Sequence, residues 1–385
     1  MNKLTVYSGL GMALVLGIGC SPSLGTSDQD NVRDPLKVCT RSDGTCAESN
    51  CDDINQPYQG AGSDFSMTEP NTLSYRYKLT GFYRTAVGTW AVRGFHVKQD
   101  PLHPIHVSAD GFVSGLSVGG VTQKLVNLSA TNGVVKLTYC TPGAAGCGAG
   151  IYAMATGAAL AGTRILLQVP NAPGLSTGSI DYTLQFDSAP QVLNLVMPNS
   201  VDIKGYKFSY FYSGVTAQSL CKGPMGTPQR TFLYQDTYWN PETFARTEDG
   251  SAITLTCELG AIAACMSWGY KPWESSTFGG NTVSKRDWHA TCVNMKTANY
   301  CGDGYSWTRF GTSIYVNDPL MPQVMTGSLA RLEAFWDTHG AVCVNDGNRR
   351  VPSLMWSTSS CYATMPSCDS LAAGGAANYL GSAIP

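Results

Sequence analysis

Short runs of alternating apolar and polar residues dominate the chain from about residue 73 to residue 212. The apolar positions of four such runs are Tyr75, Tyr77 and Leu79; Val135, Leu137 and Tyr139; Ile180, Tyr182, Leu184 and Phe186; and Tyr206, Phe208, Tyr210 and Tyr212. Because side chains alternate between the two faces of a strand, this period of two predicts half-buried β-strands. The pairs Asp110-Gly111 and Asn132-Gly133 are typical of tight turns. The pattern predicts a sandwich-like or barrel-like β region.

The hydrophobic period changes after residue 242. Three segments place apolar residues on one helical face, and each is closed by a glycine or opened by a capping residue. They are residues 258–268 with Ala261, Cys265 and Trp268; residues 284–299 with Trp288, Cys292 and Met295, for which Ser284 is the N-cap; and residues 328–338 with Leu329, Leu332 and Trp336. The expected fold is therefore mainly β, with a smaller α+β unit towards the carboxyl end.

The first nineteen residues read as a secretory signal, with Lys3 before an uncharged apolar stretch. That stretch is shorter than the roughly 20 residues that cross a bilayer, so a membrane helix is disfavoured. The segment from Leu16 to Cys20 has small residues before a cysteine, as lipidated exported proteins do, although Gly17 departs from that pattern. We expect a diacylglyceryl anchor on Cys20. Ser21 then favours the outer membrane, and ordinary secretion is the alternative.

The 14 cysteines of an exported chain are expected to form disulfides. If Cys20 carries lipid, thirteen remain, and this odd number counts mildly against the anchor. The cysteines and histidines do not show the spacing of zinc-binding motifs, so no metal is expected. Cys140 with Cys147 and Cys361 with Cys368 are expected to pair locally, because short loops close at small entropic cost. The candidates for structural disulfides are Cys140, Cys147, Cys221, Cys257, Cys265, Cys292, Cys301, Cys343, Cys361 and Cys368.

These patterns divide the chain into five expected parts. Residues 1–19 are the signal, and residues 20–70 are a flexible, polar tether that contains cysteines. A β-rich domain follows over residues 71–200 and a disulfide-rich domain over residues 201–350. Residues 351–385 form a tail with one local disulfide.

The stretch from Ala298 to Gly304 resembles the ADYC domain, a family named for Ala-Asp-Tyr-Cys. The resemblance extends through the landmarks around Cys265 and Cys292 to Cys343, covering about residues 203–345. Asn299 stands where the naming motif has Asp. The resemblance implies an exported protein or lipoprotein of a Gram-negative envelope, and it implies no particular reaction. The motif also has a structural interpretation, in which glycines allow a sharp helix exit and Tyr300 fills the core.

Composition and motifs give few signs of catalysis. With 25 basic and 27 acidic residues, the chain has no field that would attract nucleic acid. No cofactor motif is present. The best catalytic candidates are Asp303 and His289. Asp303 could form an acid–base pair with Asp287 or Asp318. His289 lies one helical turn from Cys292 and could act as its base. Trp273 and Trp307 lie in loop-like sequence and are the candidates for contacting a ligand.

The sequence thus predicts a lipid-anchored envelope protein that binds an envelope or extracellular ligand or supports the envelope structurally, without being an enzyme. An exported hydrolase that acts on cell-wall or polymeric material is the alternative.

Overall fold

The structure is a computed structural model that describes sixteen stretches of the chain. They are residues 65–66, 76–98, 105–143, 147–171, 178–192, 203–212, 216–221, 228–240, 245–258, 260–278, 280–304, 314–318, 331–350, 356–357, 359–371 and 379–383. The predicted signal, the lipidation site Cys20 and the predicted tether up to residue 64 lie outside these stretches.

The described residues form strands, two α-helices and short 3₁₀ turns at Cys147–Ala149, Gly157–Leu160 and Cys368–Ser370. The helices are α1 (Ala261–Ser267) and α2 (Lys285–Thr297). The strands are β1 (Phe65–Ser66), β2 (Arg76–Arg84), β3 (Trp90–Lys98), β4 (Ile105–Ser108), β5 (Gly111–Val118), β6 (Val121–Thr131), β7 (Val134–Cys140), β8 (Ala153–Thr156), β9 (Arg164–Pro170), β10 (Ser179–Phe186), β11 (Gln191–Val192), β12 (Lys204–Gly205), β13 (Phe208–Tyr212), β14 (Gln218–Ser219), β15 (Thr231–Trp239), β16 (Arg246–Cys257), β17 (Ser275–Phe278), β18 (Asn281–Ser284), β19 (Tyr315–Asn317), β20 (Leu332–Asp337), β21 (Gly340–Val344) and β22 (Leu380–Ala383).

The large sheet curls into a half-barrel, which confirms the barrel-like alternative of the expected β fold. Its strands follow the order β14-β13-β10-β9-β5-β3-β2-β16-β15, with β6, β7 and β8 branching from β5. One isolated bridge links regions near the two ends of this order, where Tyr206, just before β13, and Thr231, the first residue of β15, exchange backbone hydrogen bonds of 2.9 and 2.7 Å. A disulfide joins Cys221, which follows β14, to Cys257, the last residue of β16.

Strands from both sides of the predicted boundary at residue 200 pair in this sheet. β10 pairs with β13, and β2 pairs with β16. One cluster of buried apolar residues also extends from Tyr77 to Leu380. The expected units 71–200, 201–350 and 351–385 therefore share one sheet or one core. Phe65 and Ser66, which were assigned to the tether, pair with β2 as β1.

One of the two predicted turns forms a hairpin. Asn132 and Gly133, with φ of 52° and 75°, connect β6 to β7 in the left-handed conformation that such two-residue loops require. The turn predicted at Asp110-Gly111 is wrong, because β4 and β5 do not fold back on each other. Both pair with β3, one after the other, and Ala109 donates a 2.9 Å hydrogen bond to the Gly94 carbonyl between them.

Two of the three predicted helices are present. The side chain of Ser284 accepts a hydrogen bond from the Arg286 amide, as expected of the N-cap of α2. The helix predicted over residues 328–338 is wrong, since Leu332–Asp337 is β20 and pairs with both β21 and β22. Its four central residues are buried, so the segment has no polar face to show the alternation of a strand.

The structure contains five disulfides among the described residues, and all ten candidate cysteines take part. The pairs are Cys140–Cys147, Cys221–Cys257, Cys265–Cys292, Cys301–Cys361 and Cys343–Cys368. The first confirms the expected local pair. The local bridge expected between Cys361 and Cys368 is wrong, because Cys361 lies beside Cys301 after the end of α2, and Cys368 lies beside Cys343 of β21.

A trypsin digest of the unreduced protein tests this pairing. No Lys or Arg follows Arg350, so one tryptic peptide carries both Cys361 and Cys368. We expect mass spectrometry to find it joined to two other peptides, one with Cys301 and one with Cys343. A local bridge would instead leave the carboxy-terminal peptide free of both.

Candidate functional site

A pocket of about 130 Å³ opens where three separate segments meet. The first is the turn between β6 and β7, the second is the middle of β15, and the third is the segment between α1 and the first turn of α2. The residues that line it are Ala130, Thr131, Asn132, Tyr234, Gln235, Asp236, Pro272, Trp273 and Arg286. Pockets with apolar walls and a few convergent polar groups are the usual form of small-molecule sites.

Asp236 lies at an irregularity in β15. The pairing with β16 jumps from Gln235 opposite Ile253 to Thr237 opposite Glu248, which leaves Asp236 outside the ladder. Its φ is 67°, a left-handed conformation that is uncommon for a residue with a side chain, although Asp tolerates it better than most. Such strained positions inside a rigid strand cluster at functional sites. The bulge places a carboxylate on the pocket wall.

Gln235 ties the β6–β7 turn to β15. Its Oε1 accepts hydrogen bonds from the Ala130 amide at 3.2 Å and the Thr131 hydroxyl at 3.3 Å. Its Nε2 donates to Asp236 Oδ2 at 3.4 Å. The two sides of the pocket are thus connected by one side chain.

Trp273 is half-buried in a turn that is held from both sides. Glu274 accepts from Lys271 Nζ at 2.8 Å and from Lys285 Nζ at 3.0 Å. Partial burial opposes ionisation of Glu274, but the two ammonium groups prevail and lower its pKa. A Cβ at Gly133 would lie 3.5 Å from the indole Cη2, so the absence of a side chain there lets the turn pack beside the ring. The indole is therefore positioned before any ligand arrives.

A chain of ion pairs extends from Arg286, which lines the pocket. Arg286 forms an ion pair with Glu248 and donates from Nε to the Pro272 carbonyl at 3.4 Å. Arg246 pairs with Glu248 at 3.4 Å and with Asp287 at 2.8 Å. The pair with Glu248 and the bond to the Pro272 carbonyl hold the guanidinium of Arg286 in place.

Of the two tryptophans that the sequence singled out, Trp273 lines this pocket, and Trp307 lies outside the described residues.

The two catalytic candidates are in different environments. Asp303 is exposed, and its Oδ2 accepts from the Ser360 hydroxyl at 2.7 Å. His289 is 0% exposed. Its neighbour Cys292 is bonded to Cys265 and so carries no thiol.

The other two carboxylates considered with Asp303 are also separate from it. Asp287 lies in the first turn of α2 and pairs with Arg246. Asp318 is buried and accepts from the Tyr270 hydroxyl at 2.6 Å. Neither side chain is in the pocket beside Trp273.

His289 belongs to the core under α1. Its Nε2 lies 2.9 Å from the Ile262 carbonyl and donates to it, and the rings of Tyr234 and Trp239 lie edge-on at 5.9 Å. Burial lowers the pKa of this imidazole to about 4, since desolvation disfavours the charged form. The ring stays neutral near pH 7 and serves packing.

This shift predicts an acid-sensitive core. An unfolded His takes up a proton near pH 6.5, whereas His289 does so only near pH 4, so stability falls as the pH drops between these values. We expect a loss that reaches roughly 3 kcal/mol near pH 4. Urea unfolding from pH 7 to pH 4.5 measures it. His289→Gln should reduce the slope, with the buried His96 contributing to what remains, while His339→Gln, at an exposed ring, should leave it unchanged.

The motif that carried the family resemblance closes α2. Ala298 takes a left-handed φ of 53° at the C-cap. The Asn299 side chain donates to Asn294 Oδ1 and accepts from the Gly304 amide, both at 3.1 Å. Cys301 then joins Cys361. Each of these groups shapes the exit of the helix, in agreement with the structural interpretation.

Tyr300 reaches a buried ion pair that the sequence did not reveal. The Glu333 carboxylate accepts from the Tyr300 hydroxyl at 2.5 Å, from Arg350 Nε at 2.8 Å and from the Ser382 hydroxyl at 2.7 Å. Arg350 also donates from Nη2 to the Met295 carbonyl at 2.6 Å, near the end of α2. Burial alone would raise the pKa of Glu333, but Arg350 and the two hydroxyls hold it below its usual range. We name this group the Glu333 cluster.

Comparison with known proteins now identifies the family. The model of the ADYC domain matches residues 157–350, just over half of the chain. The chain belongs to the ADYC domain family. The matched region begins at the 3₁₀ turn Gly157–Leu160 and so extends well before residue 203, where the resemblance was expected to start. No curated protein and no solved structure matches the chain.

The boundaries of the ADYC domain pass through the pocket. Tyr234, Gln235, Asp236, Trp273 and Arg286 lie inside the matched residues. Thr131 and Asn132 precede them and belong to the β6–β7 turn. The pocket therefore combines the family's own scaffold with a turn from outside the match.

The part of the chain that the structure describes contains neither a cluster of metal-ligating side chains nor a helix that could span a membrane. Within it, no group of three or more His, Cys, Asp or Glu side chains is arranged to hold a metal ion. No helix in the same stretches is long and apolar enough to cross a bilayer.

Proposed function

We propose that this ADYC domain protein is an exported, non-enzymatic binding protein of the cell envelope, with the pocket beside Trp273 as its ligand site. The observation that carries the proposal is the pocket itself, where an indole, a strained carboxylate and an arginine converge. The polar groups come from three segments and are positioned by the surrounding hydrogen bonds. Such preorganisation favours binding, because little side-chain entropy is lost when a ligand arrives.

The proposed cellular location is the outer membrane, where a lipid on Cys20 would anchor the protein. Five disulfides within the described residues support folding in an oxidising compartment, since reductants of the cytosol oppose such bonds. Two or more acyl chains would hold the protein stably on a membrane. Mass spectrometry of the mature protein should show a diacylglyceryl group on Cys20. A mature chain without lipid would contradict the anchor and leave export as the remaining part of the proposal.

The binding site is tested with the variant Trp273→Ala. We expect binding of small polar ligands, screened by saturation-transfer NMR on the full-length oxidised protein, to weaken by about tenfold or more. The matched control is Phe112→Ala, which removes an aromatic ring that is 50% exposed on β5 and does not line the pocket. Equal binding by both variants, or no binding by the parent protein, would contradict the proposal.

The hydrolase alternative has less support. An acid or base must reach substrate, and His289 has no exposed surface while Asp303 is not among the pocket residues. If wall-polymer hydrolysis were detected and Asp303→Ala abolished it without unfolding the protein, the alternative would replace the binding proposal.

A further inference from the structure

The pocket has room for one small ring. Its volume of about 130 Å³ is close to that of the engineered cavities of about 150 Å³ that hold benzene. A longer ligand could place a single terminal ring inside, with the remainder outside. The ligand is therefore sought among molecules that present one six-membered ring.

The walls of the pocket differ in character. Trp273 and Pro272 form an apolar side. Three polar side chains on the other walls differ in their hydrogen-bonding capacity. The Asp236 carboxylate only accepts hydrogen bonds, and the Arg286 guanidinium only donates them. The Asn132 amide does both. Hydroxyl groups both donate and accept, so a ring that carries several of them can satisfy all three. A pyranose has such a rim and also has a C–H face that can lie against an indole.

The charge around the pocket disfavours anions. Arg246, Arg286, Lys271 and Lys285 supply four positive charges, and Asp236, Glu248, Glu274 and Asp287 supply four negative ones, which leaves no net charge to attract an anion. Arg286 gives Nη1 to Glu248 and Nε to the Pro272 carbonyl, so its charge is already paired, although Nη2 can still donate to a neutral hydroxyl. A carboxylate or phosphate on the ligand would meet Asp236, while each of these four cations already pairs with a carboxylate.

We propose that the pocket beside Trp273 binds a neutral pyranose, either as a free sugar or as the terminal ring of a glycan. This inference rests on the proposed function above and names the ligand class of the same site. The indole stacks on the C–H face of the sugar, Asp236 accepts from its hydroxyls, and Asn132 and Arg286 donate to them.

An ammonium ligand is the main competitor, because an indole and a carboxylate also attract a cation. The variant Asp236→Asn separates the two. Asn tolerates the left-handed conformation of this position and still accepts a hydrogen bond, but it carries no charge. A neutral sugar should therefore lose no more than about tenfold in affinity, whereas an ammonium ligand should lose its main attraction.

Calorimetric titration of the full-length oxidised protein provides the test. The probes are neutral methyl pyranosides of the gluco, galacto, manno and N-acetylglucosamine series, glucuronate as the acidic analogue, and cadaverine as the ammonium ligand. We expect at least one neutral pyranoside to bind about tenfold or more tightly than glucuronate. Trp273→Ala should abolish that binding, and Phe112→Ala should not change it.

The outcomes separate the inference from the proposed function. Binding of cadaverine or glucuronate that depends on Trp273, with none of a neutral pyranoside, would overturn the sugar assignment and leave the pocket as a binding site. Sugar binding that is unaffected by Trp273→Ala would place the ligand elsewhere and overturn the inference. Absence of binding by every probe would overturn the sugar assignment as well, and only the wider ligand screen would then decide the proposed function.

Discussion

Replacing Arg350 by Met is expected to lower the free energy of unfolding by about 3–5 kcal/mol, the usual loss when one partner of a buried ion pair is removed. The substitution leaves the Glu333 carboxylate, which is 0% exposed, without its cation. It also removes the donor to the Met295 carbonyl at the end of α2. Chemical denaturation at pH 7 with the disulfides intact measures the loss.

A control variant and a double variant show whether the lost stability comes from the unpaired charge of Glu333. Arg164→Met removes an exposed arginine that contacts Gln185, and we expect it to cost less than about 1 kcal/mol. The double variant Arg350→Met with Glu333→Gln should recover part of the lost stability, because Gln still accepts from Tyr300 and carries no unpaired charge. A double variant that is less stable than Arg350→Met alone would contradict the proposed role of the charge.

The Glu333 cluster also predicts behaviour in acid. A carboxyl whose folded pKa lies below its unfolded value contributes stability above the unfolded pKa, about 4.3 for Glu, and loses it as the pH falls further. This window lies below the one in which His289 acts. Glu333→Gln should therefore flatten the stability profile below pH about 4.3 and leave the slope between pH 4.5 and pH 6.5 unchanged.

Replacing Gly302 by Ala is expected to cost more than about 4 kcal/mol or to prevent folding. Gly302 has a φ of 66°, and a Cβ there would lie 1.8 Å from the His339 carbonyl oxygen. That oxygen belongs to the turn between β20 and β21, so relief requires the hairpin to move away from the end of α2. Thermal unfolding and the yield of oxidised protein measure the effect.

Gly280→Ala is the matched control for this steric effect. Gly280 has a similar φ of 82°, but a Cβ there meets nothing within 4 Å. This variant carries only the conformational strain, about 1–2 kcal/mol. If the two variants were equally stable, the close approach of the backbones at Gly302 would not be the cause.

The sequence predicts correctly those strands in which apolar and polar residues alternate within the strand itself. The alternation around Tyr77, Leu137, Leu184 and Tyr210 appears in β2, β7, β10 and β13. The pairing of distant strands has no such local signal. The Tyr206–Thr231 bridge and the shared sheet across residue 200 depend on contacts that the spacing of residues cannot show.

The helix over residues 328–338 and the local bridge between Cys361 and Cys368, which the structure contradicts, have physical explanations. Leu332–Asp337 is buried on both faces as a central strand, so its apolar residues fit a helical spacing as well as a strand. The pairing of Cys361 with Cys368 was inferred from loop entropy alone. Packing of this segment beside Cys301 and against β21 brings Cys301 and Cys343 to the two cysteines and decides the connectivity.

The candidate site was predictable only in part. Trp273 could be singled out, because an aromatic residue in loop-like sequence is a common ligand contact. Asp236 could not, since its left-handed conformation arises from the mismatch between β15 and β16. Asn132 and Arg286 are more than a hundred residues apart and meet only in the folded chain.

The connectivity of the last two disulfides has a consequence for proteolysis. Cys301 joins Cys361 and Cys343 joins Cys368, so the two covalent loops overlap. A single peptide-bond cut anywhere between residues 301 and 368 therefore leaves the two fragments covalently connected. A protease that nicks an exposed loop of this region releases no fragment until a reductant opens a bridge.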